Sequence, residues 1–195
     1  IKAVTGFADT HLVEGTMGMF AYQVGRAEMP LPPPTDVDLH DSADIAYYYF
    51  PKKHGFMMSA KPAKASKAFA QLYNQSGLTR CQRLPSRVYA MFTNAFFPFT
   101  LACELDGWRG TASLIANSEL WQLCCQSQRE IMGLKHHGLA GMIFSRLMGN
   151  ARWEKMMRGM DKDSEAIGFT AFNKFHHGGK VLGQDIQVVE NCFSA

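Results

Sequence analysis

Hydrophobic residues recur at every third or fourth position through most of the chain after residue 60. This spacing is typical of α-helices that bury one face. Stripes of this kind occupy residues 61–77, 114–135, 139–148 and 153–160. The pattern therefore predicts a series of helices packed against one another.

Two segments interrupt this periodicity. Residues 30–41 begin with four prolines in five positions, and proline fixes φ and cannot donate a backbone hydrogen bond. Residues 178–195 are rich in Val and Ile and indicate an extended tail. The predicted fold is all-α, an irregular domain of about four to six helices between an extended Pro-rich N-terminal arm and an extended C-terminal tail. The predicted boundaries are residues 1–45 for the arm and linker, 46–177 for the helical domain and 178–195 for the tail.

The longest apolar stretch covers residues 88–103, and Asn94 and Pro98 interrupt it. A membrane-spanning helix needs about 20 apolar residues. The stretch is shorter than that, so a buried hairpin or a kinked helix is predicted, and no transmembrane helix is assigned. Its apolar character still favours a position at the periphery of a membrane complex.

The composition argues against nucleic-acid binding and favours protein partners. The chain is 47% hydrophobic, and 12 Met and 14 Phe supply adaptable or large apolar side chains that suit cores and partner surfaces alike. The net charge of +3 is too small to indicate nucleic-acid binding, which needs clustered Lys and Arg. Protein partners are therefore predicted, and nucleic acid is not.

The five cysteines form no disulfide or metal-binding framework. Their number is odd, Cys124 and Cys125 are adjacent, and no Cys-x-x-Cys spacing occurs. A reducing compartment is predicted, with the thiols acting as small buried hydrophobic groups.

Two histidine pairs, His136–His137 and His176–His177, are the candidate ligand-binding residues. Adjacent residues on a helix point about 100° apart, so neither pair can chelate an ion alone. The spacings of zinc proteases and of di-iron bundles are absent, as are glycine-rich nucleotide-binding loops. The sequence accordingly predicts no metal, no cofactor and no catalytic residue, and the protein is predicted not to be an enzyme.

Residues 133–142 resemble the pigment-binding helix of chlorophyll light-harvesting proteins. Five positions match that motif: Leu134, Lys135, His136, Leu139 and Ala140. Gly133 and Gly138 stand where the family has the Glu and Arg that pair across the membrane. The chain is not assigned to that family, and the resemblance implies a pigment-binding alternative only.

The predicted function is that of a non-catalytic accessory or structural subunit in a multiprotein complex. An organelle energy-transducing complex, in a mitochondrion or chloroplast, is the favoured setting, partly because the chain opens with Ile1 rather than Met. The predicted partner-binding residues form one helical stripe: Trp153, Met156, Met157 and Met160. Two alternatives stay open: a small helical metal-binding, pigment-binding or oxidoreductase protein that uses the histidine pairs, and a self-assembling coat-type protein.

Overall fold

The structure is a computed structural model that describes residues 2–26, 29–32, 34–50 and 54–194. In this described part, helix accounts for 62% of the residues and strand for 12%, the strands lying in small sheets. The fold is therefore a mixed, mainly helical one, and the all-α prediction is wrong.

The elements before residue 86 alternate between short strands and helices. In chain order they are α1 (Lys2–Thr5), β1 (Gly15–Met17), β2 (Phe20–Gln23), α2 (Val37–Asp41), β3 (Ile45–Tyr48), β4 (His54–Ser59), α3 (Ala63–Asn74) and β5 (Arg80–Leu84).

From residue 86 onward, all described elements are helical. They are α4 (Ser86–Asn94), α5 (Phe97–Leu105), α6 (Thr111–Ala116), α7 (Ser118–Met132), α8 (Gly138–Leu147), α9 (Asn150–Asp163), α10 (Phe169–Asn173) and α11 (Leu182–Phe193). A π-helix covers Lys174–Lys180, between α10 and α11.

The chain forms two compact units, the first from Ile1–Ala21 with Tyr47–Ala90, the second from Tyr22–Ala46 with Met91–Ala195. In the first unit, β4 is the central strand of a three-stranded sheet, antiparallel to β1 and parallel to β5. The helix α3 connects β4 to β5, since parallel strands need a crossover. The core of the first unit is the cluster of Met58, Ala70 and Cys81, against which Phe56 and Tyr73 pack.

The second unit is built around α5, whose sequence "FPFTLACEL" is apolar almost all round. A helix of this composition belongs in an interior, and α5 packs against α7, α11 and the π-helix. Phe99 and Leu114 are completely buried in this unit, together with Met132 and Met157. The apolar stretch 88–103 is thus divided between α4 and α5, and no helix of the described chain is long and apolar enough to cross a membrane.

The predicted extended tail is wrong, because Leu182–Phe193 forms α11 and buries Asp185 and Cys192. The β-branched residues of this segment favour strands only weakly, and packing against α5 outweighs that preference.

The N-terminal arm is not wholly extended either. The Asp36 side chain accepts a hydrogen bond from the Leu39 amide at 3.0 Å and caps α2 within the predicted irregular segment 30–41. Pro33 lies outside the described residues.

Candidate functional site

The most distinctive polar arrangement is a hydrogen-bonded histidine–aspartate pair between the π-helix and α11. His177 Nδ1 lies 2.6 Å from Asp185 Oδ2, and the Asp185 side chain is only 3% exposed. Thr100 Oγ1 on α5 lies 3.4 Å from Asp185 Oδ2 and shares its one proton between this oxygen and the Phe97 carbonyl, which is nearer at 2.9 Å. Because Nδ1 donates to a carboxylate, the imidazole is held in one orientation with Nε2 as the free acceptor. That Nε2 has no partner among the described residues, and the His177 side chain is 15% exposed.

Aromatic rings surround the pair. The Phe96 ring meets His177 edge to face at 5.9 Å between centroids, and His176 stacks on Phe172 at 5.7 Å. The pKa of His176 is lowered, first by burial and then by the neighbouring His177 and Lys180. Burial thus favours the neutral form of His176.

A second carboxylate borders the same segment. Glu104 Oε2 accepts a 2.5 Å hydrogen bond from Trp108 Nε1, and a Cβ atom at Gly178 would lie 2.6 Å from that Nε1. Trp108 has φ +55°, an uncommon conformation for a residue with a side chain. Only glycine at position 178 lets the π-helix come so close to this Glu104–Trp108 pair.

The π-helix itself is part of the site. Helices with i→i+5 hydrogen bonding are rare and occur often at functional positions. Here the irregular winding of Lys174–Lys180 directly precedes α11 and places His177 beside Asp185. The sequence analysis named His176 and His177 but missed Asp185 and Glu104, because an eight-residue spacing across a π-helix has no recognisable pattern.

The other histidine pair lies apart from this site. His136 is exposed, whereas His137 is 1% exposed and donates from Nδ1 to the Ile131 carbonyl at 2.9 Å. Burial, followed by the nearby His136, lowers the pKa of His137. Within the described residues, no group of three or more His, Cys, Asp or Glu side chains is placed to hold a metal ion.

All five cysteines are buried and free. Burial raises the pKa of Cys103 to about 12 and that of Cys125 to about 11. Thiols with such pKa values are protonated at neutral pH and are poor nucleophiles. The cysteines therefore act as apolar core residues.

The predicted partner stripe on α9 is divided between interior and surface. Trp153 and Met157 are buried in the second unit, while Met156 is half-buried and Met160 is exposed. Of the four, only Met156 and Met160 are accessible to another chain, and their contact with a partner stays a prediction.

A larger apolar surface lies on α8. Four large side chains point outward from one face: Leu139 at 66% exposure, Met142 at 40%, Ile143 at 45% and Leu147 at 50%. The opposite face carries Gly141, where a methyl group would overlap the Met132 carbonyl oxygen at the end of α7. We call these four residues the α8 surface.

The stretch of sequence that contains the α8 surface is basic. Residues 131–153 contain Lys135, Arg146 and Arg152 but no Asp or Glu, and all three cationic residues are exposed. The sequence analysis recognised this helical stripe but did not say whether it faces the interior or the surface. Only the packing of the Gly141 face against α7 shows that the stripe points outward.

No family model, curated protein or solved structure matches this chain.

Proposed function

We propose that this protein is an accessory subunit that holds a neighbouring protein through the α8 surface. The observation that carries the proposal is the outward row of Leu139, Met142, Ile143 and Leu147. Fully burying one such side chain contributes about 1.5–3 kcal/mol, so a partner that covers the row is strongly favoured. Contiguous exposed apolar patches of this kind mark interaction sites on soluble proteins.

The charges around the α8 surface indicate the chemistry of the partner. Lys135, Arg146 and Arg152 are exposed, and the stretch 131–153 that holds them has no Asp or Glu, which supports a positive potential in this region. A complementary partner presents an apolar face bordered by Asp and Glu, as an acidic amphipathic helix does. The apolar row then provides affinity, and the three basic residues orient the partner and raise the rate of association.

The proposal predicts that charging the row releases the partner without unfolding the protein. In the variant Leu139→Glu with Ile143→Glu, both substituted side chains are already exposed, so helical circular dichroism should stay unchanged. The amount of partner protein that co-purifies with the tagged chain should fall about tenfold or more, because charges replace two side chains that the partner would bury. Raising the salt concentration should weaken wild-type capture as well.

The matched control is Leu72→Glu with Leu78→Glu in the first unit, where the two leucines are 68% and 61% exposed. These changes add the same charge to exposed positions of the other unit and should leave capture intact. If the α8 variant keeps all its partners, the proposal is wrong. If the isolated wild-type chain forms large homogeneous assemblies that the α8 variant disperses, the coat-type alternative replaces it.

A further inference from the structure

We infer that the π-helix and α11 form a second site, independent of the α8 surface, in which His177 Nε2 accepts a hydrogen bond from the hydroxyl group of a small ligand. Asp185 is the positioning residue of this site: it binds Nδ1 at 2.6 Å and fixes which nitrogen faces the ligand. The hydroxyl proton stays on the ligand oxygen, and the Nε2 lone pair accepts the hydrogen bond.

A second histidine–aspartate pair in the chain shows what is special about this one. His40 Nδ1 lies 2.8 Å from Asp41 Oδ1, and both His40 and His177 have side chains 15% exposed. However, Asp41 is 68% exposed, and His40 Nε2 is already bonded to the Tyr22 hydroxyl at 3.1 Å. Both ring nitrogens of His40 therefore have hydrogen-bond partners, whereas His177 Nε2 has none among the described residues.

The environment of Asp185 also favours a functional role. A buried carboxylate is costly unless it is paired and hydrogen-bonded. Asp185 receives a short hydrogen bond from His177 and a longer one, shared with the Phe97 carbonyl, from the buried Thr100. Electrostatic interactions between these groups are strong because little solvent surrounds them. The orientation of the imidazole is thus fixed before any ligand arrives.

The neighbouring groups indicate the class of ligand. Phe96 and Trp108 offer apolar surface, and Glu104 uses Oε2 for Trp108 while its Oε1 has no partner in the described chain. The groups left open, an imidazole nitrogen and a carboxylate oxygen, both accept hydrogen bonds. They fit a small ligand that has an apolar body and donates a hydrogen bond from a hydroxyl group, such as a phenol or an alcohol.

The inference is tested first by the reactivity of the imidazoles. Diethyl pyrocarbonate acylates free, uncharged imidazole nitrogens, and mass spectrometry gives a rate for each histidine. We expect His177 to react about tenfold faster than His40, although the two rings are equally exposed, because only His177 has a free Nε2. Asp185→Asn should remove this advantage, and Asp41→Asn should leave the His40 rate unchanged.

Nitrogen-15 NMR of the histidine rings gives an independent reading. The wild-type spectrum should show His177 with its proton on Nδ1, and Asp185→Asn should produce a mixture of tautomers. 4-Nitrophenol serves as the hydroxyl probe: it should perturb the Nε2 signal of His177 and bind about tenfold more weakly to His177→Gln.

Equal reaction rates of His177 and His40 in the wild-type protein would overturn the inference, and this comparison needs no variant to fold. It is also overturned if 4-nitrophenol does not bind, or binds equally to wild type and His177→Gln. Loss of partner capture by the α8 variant has no bearing on these readings, so the two proposals fail separately.

Discussion

At the scale of single residues, His137 shows how burial controls a titratable side chain. The imidazole is almost completely buried, its Nδ1 donates to a backbone carbonyl, and its Nε2 has no partner among the described residues. Burial lowers the pKa of His137 in the folded protein, whereas in the unfolded chain histidine titrates near its ordinary value of about 6.5. The unfolded state therefore binds more protons as the pH falls below that value.

This difference predicts an acid-sensitive fold. The stabilising contribution of neutral His137 is fully present above pH of about 6.5 and is lost as the pH falls towards the lowered folded pKa. His137→Asn keeps a donor for the Ile131 carbonyl but cannot be protonated in this range. Urea unfolding at pH 7 and pH 5 should show a smaller loss of stability in His137→Asn than in wild type.

The control for this prediction is the exposed His11, where His11→Asn should reproduce the wild-type loss. Some acid sensitivity will remain in His137→Asn, because burial also lowers the pKa of His176. An undiminished loss in His137→Asn would show that protonation of this residue does not govern acid stability.

At the scale of elements, two glycines in consecutive helices differ in how much space surrounds them. Gly141 in α8 faces α7 so closely that a methyl group would overlap the Met132 carbonyl oxygen and lie 2.6 Å from His137 Cβ. Gly159 in α9 has nothing within 4 Å of the corresponding position. The helix propensity of alanine is the same at both sites, so only packing distinguishes them.

Gly141→Ala should therefore destabilise the protein by about 1–3 kcal/mol, because a crowded backbone contact outweighs the better helix propensity. Gly159→Ala should instead stabilise it by about 0.5–1 kcal/mol. Chemical denaturation of both variants gives the two values. A stabilising Gly141→Ala would mean that α8 can move away from α7 at little cost.

At the scale of the whole molecule, each unit has its own interior, and α9 shows how one helix serves both interior and surface. Met157 is completely buried in the second unit, while Met160, three residues further on, is 36% exposed. Met157→Ala should lower the free energy of unfolding by about 2–5 kcal/mol because it leaves a cavity. Met160→Ala should change it by less than about 0.5 kcal/mol.

Urea titrations followed by circular dichroism measure both changes. Comparable losses in the two variants would place Met160 in the core too and would remove the accessible part of the predicted partner stripe on α9. A small loss for Met160→Ala keeps that residue available to another chain, as the sequence analysis expected.

The periodicity of the sequence correctly indicated a predominantly helical protein, because apolar spacing depends on local geometry alone. It also separated the helical stripes of residues 114–135 and 139–148, and α7 (Ser118–Met132) and α8 (Gly138–Leu147) occupy these segments. The stretch 88–103 was correctly expected to be broken, since Asn94 and Pro98 are local signals. Features within one helical turn of each other were thus accessible from the sequence.

Long-range pairing was decided only by the tertiary structure. The parallel partnership of β4 and β5 joins residues separated by a helix, and two strands of five or six residues have no distinctive pattern of their own. The tail became α11 because α5 offers it a surface, and the same packing places Asp185 beside His177. The sequence by itself determined which segments could be helical and which side chains were available for chemistry. Which helix face is buried, and which polar groups meet, depends on contacts between distant parts of the chain, and only the tertiary structure specifies these.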